Sequence, residues 1–167
     1  MKILACAAAL FSLSGAVLAQ QSPSKPLVVN IMNAEGQAVG TATLSPAASG
    51  VKIALDIKKL PPGEHSIHIH QVAKCDPPDF KSAGPHFSPA GHMHESAPAG
   101  DIPDFSLIVG KDGTAHVSTV APNVTLGDDD HSVFSNGGTA IVIHAVAGGT
   151  STAAPRRIAC GVISKPE

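Results

Sequence analysis

The sequence predicts an all-β domain: an eight-stranded Greek-key barrel or sandwich with long loops. Three observations predict it. Apolar residues recur with period two in short runs, the mark of half-buried strands. Turn signals separate the runs at Glu35-Gly36, Ser49-Gly50, Pro61-Pro62-Gly63, Asp112-Gly113 and Gly137-Gly138. No long helical period appears, and the 167 residues include 16 Gly and 14 Pro. About eight short strands in a chain of single-domain length fit a two-layer or closed β architecture.

The elements follow in order. Residues 1–19, MKILACAAALFSLSGAVLA, pair one early lysine with a short apolar run and a small-residue end. This is the pattern of a secretory signal cut before Gln20. Ser12, Ser14 and Gly15 break the run, which argues against a membrane anchor. Residues 20–26, QQSPSKP, read as a flexible arm, and 27–167 as the domain. Strand candidates are 27–33, 37–44, 51–57, 64–71, 105–110, 114–120, 139–145 and 157–163. The clearest is 51–57, where Val51, Ile53, Leu55 and Ile57 alternate with Lys52, Ala54 and Asp56. Two long connections interrupt the series. Residues 72–104 are rich in Pro, Gly and His; residues 121–138 hold the acidic run Asp128-Asp129-Asp130. Long structureless loops in small domains are commonly functional.

Composition excludes several classes. No second apolar run is long enough to span a membrane. The net charge is −2, and Lys and Arg are scattered, which leaves no nucleic-acid footprint. Once the signal is removed, Cys75 and Cys160 remain. In an exported protein an even pair reads as a disulfide. Such a crosslink is worth up to about 4.5 kcal/mol in the chain-entropy account. It would tie the 72–104 loop to the last strand, making that loop a site wall.

The chain has nine histidines, five phenylalanines and neither Tyr nor Trp. In EHSIHIHQ (64–71), His68 and His70 stand two residues apart, so a strand presents both on one face, about 7 Å apart. Ile67 and Ile69 take the other face. His144 sits on a second strand, AIVIHA, and His86 lies in the long loop, in SAGPHFSP. Four imidazoles from two strands and a loop suit copper or zinc. A cupin would need a glutamate shortly after His70, where Gln71 to Lys74 stand. An HxHxDH hydrolase would need an aspartate and a histidine at Val72 and Ala73.

The motifs HSIHIHQ (65–71), SAGPHFSP (82–89), GDIPD (100–104), IVIHA (141–145) and RIACGVI (157–163) resemble, in order and spacing, the copper/zinc superoxide dismutases. The resemblance covers nearly the whole chain after the signal. It implies copper ligation by His68, His70, His86 and His144, with His86 also bridging to zinc. It matches Cys75–Cys160 to the family disulfide, Arg157 to the arginine that draws the anion to copper, and His65 to a structural histidine beside the site. The implied activity is dismutation of superoxide to oxygen and hydrogen peroxide by an exported protein. The periplasm is the expected compartment, with secretion left open, and a homodimer is compatible with the pattern.

The chain departs from the family pattern twice. Asp101 matches the zinc aspartate and His94 a zinc histidine, but the remaining zinc histidine is replaced by Pro98. His92 is the candidate substitute, giving a zinc set of His86, His92, His94 and Asp101, an acceptable tetrahedral shell. The connection from His144 to Arg157 is short and neutral until Arg156, where the family carries a longer charged loop. The rival expectation is therefore a periplasmic copper-binding or delivery protein of the same fold with little turnover. His116 and His131 read as outward or loop residues.

Overall fold

The computed structural model describes residues 25–89, 97–145 and 155–166. Nine strands form in chain order: β1 Leu27–Asn33, β2 Ala38–Pro46, β3 Val51–Ile57, β4 Gly63–His65, β5 Ile67–His70, β6 Leu107–Val109, β7 Ala115–Ala121, β8 Thr139–His144 and β9 Arg157–Ile163. The all-β expectation holds, with one difference in count. The predicted strand 64–71 divides at Ser66 into β4 and β5, because the chain changes partners there. Residues 63–65 pair with β6, whereas 67–70 pair with β8. The predicted signal 1–19 lies outside the described residues, as do residues 20–24 of the expected arm.

Seven strands make one antiparallel sheet in the order β5-β8-β9-β1-β2-β3-β7. β4 and β6 form a separate ribbon. The ribbon is continuous in sequence with β5 at one edge of the large sheet and contacts β7 at the other. It therefore links the two edges of the large sheet.

One apolar core fills the interior. Ile53 and Ile57 of β3, Ile31 of β1, Ile67 and Ile69 of β5, and Ile141 and Ile143 of β8 all belong to it. Strands from opposite ends of the sheet share this core, so the sheet curls on itself. Each such isoleucine is 2% exposed or less, and its burial is worth about 1.5–3 kcal/mol. β3 shows the expected alternation of buried and exposed positions. β8 does not: all six residues are buried. Its outward residues, Ala140 and Val142, pack with Phe80, Ala83 and Cys160 in a second, smaller cluster. The long loop after β5 thus covers the outer face of the sheet, and the Cys75–Cys160 disulfide, with a Cα–Cα distance of 5.6 Å, fastens it there.

Candidate metal centre

The site is built on the outer face of β5 and β8. His68 lies opposite Val142, and His70 opposite Ala140. Directly opposed residues share a face, so both rings stand beside the outer cluster while Ile67 and Ile69 fill the core. His144 ends β8 on the same face.

A loop brings His86 to them. β5 is an edge strand, and residues 83–87 run antiparallel along its free side. Gln71 N–H donates to Pro85 O at 2.9 Å, Val72 N–H to Ala83 O at 3.0 Å and Phe87 N–H to Ile69 O at 2.8 Å. This registers His86 against His70. Farther along, Gly100 closes a backbone triangle with Ile69 and Phe87. A β-carbon at Gly100 would overlap the Ile69 carbonyl oxygen, so the approach needs glycine. The turn 98–101, closed by Asp101 N–H to Pro98 O at 3.1 Å, then presents Asp101 to His86. Pro98 has no ligand atom in its side chain, but its carbonyl shapes that turn.

The ring nitrogens divide by role. His70 Nδ1 faces Gly84 O at 2.8 Å, and His144 Nδ1 faces Pro155 O at 3.1 Å. His86 Nδ1 faces Asp101 Oδ1 at 2.6 Å. In each case the outer acceptor holds the Nδ1 proton and leaves Nε2 as the free lone pair. His70 Nε2 and His144 Nε2 are 3.3 Å apart. Two nitrogens about 2.0 Å from one ion sit about 2.9–3.3 Å from each other. His68 is reversed: its Nδ1 is buried without a hydrogen-bond partner. An orphaned buried nitrogen costs about 1–3 kcal/mol. The four residues offer ligand atoms within 4.8 Å of one another. The set fits a copper ion through His68 Nδ1 and the Nε2 atoms of the other three.

Burial keeps His68, His70 and His144 neutral. Burial, then the neighbouring His86 and His144, lowers the His68 pKa to about 3. Burial also lowers His70 to about 3, against the Gly84 hydrogen bond, with Arg157 and the other rings adding to the fall. His144 is lowered as well, mainly by burial. A cation on these rings would be desolvated and crowded by like charge, so at neutral pH their lone pairs are available. His65 is 3% exposed, with one ring nitrogen 2.9 Å from His144 O and the other 2.8 Å from Pro61 O. It braces the end of β8 from outside the ligand set.

Arg157 reaches the site through a bulge that the sequence did not reveal. β8 and β9 pair Ile143 with Ala159 but His144 with Arg157, leaving Ile158 as an extra residue. Ile158 and Ala159 both join the main core. Regular alternation would have turned Arg157 inward; the bulge turns it out beside His144. Its Nη1 donates to Phe80 O and its Nη2 to Gly84 O, each at 2.7 Å.

Of the expected zinc set, His86 and Asp101 lie within the described residues. His86 and Asp101 come together, but they are hydrogen-bonded directly to each other. His92 and His94 lie outside the described residues, as does most of the short connection, residues 146–154. His116 is exposed and pairs with Asp56 at 3.3 Å. His131 lies in the acidic connection, with Nδ1 2.8 Å from Asn123 O.

Known proteins resemble this chain over most of its length. Residues 38–163 match the family model described as copper/zinc superoxide dismutase. Superoxide dismutase (Cu-Zn) 1 of Aquifex aeolicus is 41% identical over 80% of this chain and 85% of its own length. Superoxide dismutase (Cu-Zn) of Escherichia coli K12 is 30% identical over 86% of this chain and 90% of its own. Among solved structures, a SOD-like protein from Bacillus subtilis superposes with a TM-score of 0.71 at 31% identity, covering 81% of this chain and 96% of that one. The chain belongs to the copper/zinc superoxide dismutase family.

Proposed function

We propose that this chain dismutates superoxide at a copper centre held by His68, His70, His86 and His144. The observation that carries the reading is the buried, unpartnered Nδ1 of His68, aimed into a cluster whose other rings keep Nε2 free. Copper held there would supply the alternating one-electron oxidation and reduction that converts two superoxide ions and two protons to oxygen and hydrogen peroxide.

The protein's part is to hold, orient and attract. Gly84 O, Asp101 and Pro155 O fix three ring tautomers through Nδ1. The β5 and β8 backbones fix ring separation. Arg157 draws the small anion. Its guanidinium stays charged, although burial lowers its pKa against the opposing effect of Asp79. It keeps further N–H donors beyond the two used on carbonyls.

The second-metal reading assigns zinc to His86, His92, His94 and Asp101. It requires the direct His86–Asp101 hydrogen bond to open around the ion. Metal analysis of protein refolded with both metals tests it: one zinc per chain supports the set, and copper alone overturns it.

Residues 1–19 direct export, and we place the mature protein in the periplasm. The rival reading is a copper-binding or delivery protein of this fold, favoured by the short neutral connection before Arg156. Arg157→Ala separates the two. The enzyme should lose tenfold or more in rate, within the roughly 10–10³ that steering provides, while retaining copper. A carrier should show no functional change.

A further inference from the structure

Arg157 is held by two carbonyl groups, those of Phe80 and Gly84, which bracket the single 3₁₀ turn Lys81–Ala83. Gly84 O also accepts from His70 Nδ1. The place of the guanidinium relative to the ring cluster is therefore set by this short segment, and the segment must itself be fixed.

Its fixed point is Phe80. The backbone there has φ 53 and ψ 25, a left-handed conformation in which a β-carbon crowds the chain and which phenylalanine seldom adopts. The side chain is nevertheless 1% exposed. It fills the small outer cluster with Ala83, Ala140, Val142 and Cys160, and is the one large group in it. The same cluster backs the outer face of β8, two residues from His144. Burial of the ring over that face offsets the backbone strain and fixes the Phe80 carbonyl. The disulfide alone does not, because four residues, 76–79, lie between Cys75 and Phe80.

We propose that Phe80 is a positioning residue for Arg157: its buried ring wedges the loop so that the Phe80 and Gly84 carbonyls hold the guanidinium beside the histidine cluster. This rests on the reading of Arg157 as the anion-guiding residue.

Two variants test it. Phe80→Gly keeps the left-handed backbone comfortable and removes the wedge; Phe80→Leu shortens the wedge. The chain has only two arginines, Arg156 and Arg157, so the Nε–H signals of both are readily assigned by NMR in the metal-free protein. Arg156 is exposed and serves as internal reference. In the parent the Arg157 signal should be distinct and slow to exchange. Phe80→Gly should speed its exchange by about tenfold or more and move it toward that of Arg156, as expected when a local bond opens. Phe80→Leu should fall between. Azide affinity of the copper-loaded protein should weaken in the same order, with copper content unchanged. An Arg157 signal unaltered in Phe80→Gly overturns the proposal. If that variant does not fold, an unaltered signal in Phe80→Leu does so. Azide binding to Arg157→Ala is the separate control. Unchanged affinity there would sink the anion-guiding reading of Arg157, while the NMR result would still decide what Phe80 does.

Discussion

β3 and β8 belong to the same sheet and point their isoleucines into the same core, yet their other faces differ. The outer face of β3 is open. Lys52 and Asp56 are exposed, and Asp56 makes a loose pair with Lys58 at 3.9 Å and another with His116 at 3.3 Å. Such pairs contribute little. The outer face of β8 is closed by Phe80, Ala83 and the disulfide, and it ends in His144. The difference teaches where this fold can hold a site. A strand covered on one face only presents its polar side to water. A strand covered on both faces can bury imidazoles, strip their charge and leave a ring nitrogen such as His68 Nδ1 without a competing partner.

The largest expected effect comes from placing a charge on each outer face. Val142→Asp should destabilise the metal-free protein by about 3 kcal/mol or more, because an unpaired carboxylate is buried. Lys52→Asp on β3 should stay within about 0.5 kcal/mol. Urea unfolding of the two variants reads the contrast, and equal effects would break it. Next is the fastening of the cover. Replacing both Cys75 and Cys160 by serine should cost about 2–5 kcal/mol. It should also speed amide exchange at residues 80–87 more than in β3.

A smaller effect is the response to acid. The His68 and His70 pKa values are depressed from 6.5 to about 3 in the folded protein. The unfolded chain therefore takes up protons first as pH falls. The stability these neutral rings contribute is whole above about pH 6.5 and is lost progressively toward pH 3. A series of unfolding midpoints for the metal-free protein should fall across that window. In His68→Leu, which removes the orphaned nitrogen, the fall should be shallower. The smallest effect concerns the Gly100 approach. Gly100→Ala should leave β3 and β7 unchanged by amide exchange while releasing Asp101 from His86, which the His86 ring nitrogen shifts would report.

Much of this was legible in the sequence because it rests on alternation. Period two placed Ile67 and Ile69 inward and His68 and His70 outward. It also separated Ile141 and Ile143 from His144. Three features were not legible. The division of 64–71 at Ser66 depends on a change of pairing partner. The bulge at Ile158 inverts the facing of Arg157, and nothing in RRIACG marks it. Which nitrogen of His70 and of His144 is free depends on the carbonyls of Gly84 and Pro155, more than ten residues away in sequence. Phe80 escaped notice for a related reason: a lone phenylalanine in a Pro-rich loop carries no periodicity, and its burial comes from β8 sixty residues later.

The most direct test of the central claim is the rate of superoxide disappearance with the mature, copper-loaded protein at neutral pH, measured over a range of salt concentrations. A copper-dependent rate well above that of free copper, falling as salt screens Arg157, is the predicted result. A rate no better than free copper would contradict it and leave a copper-holding protein in place of an enzyme.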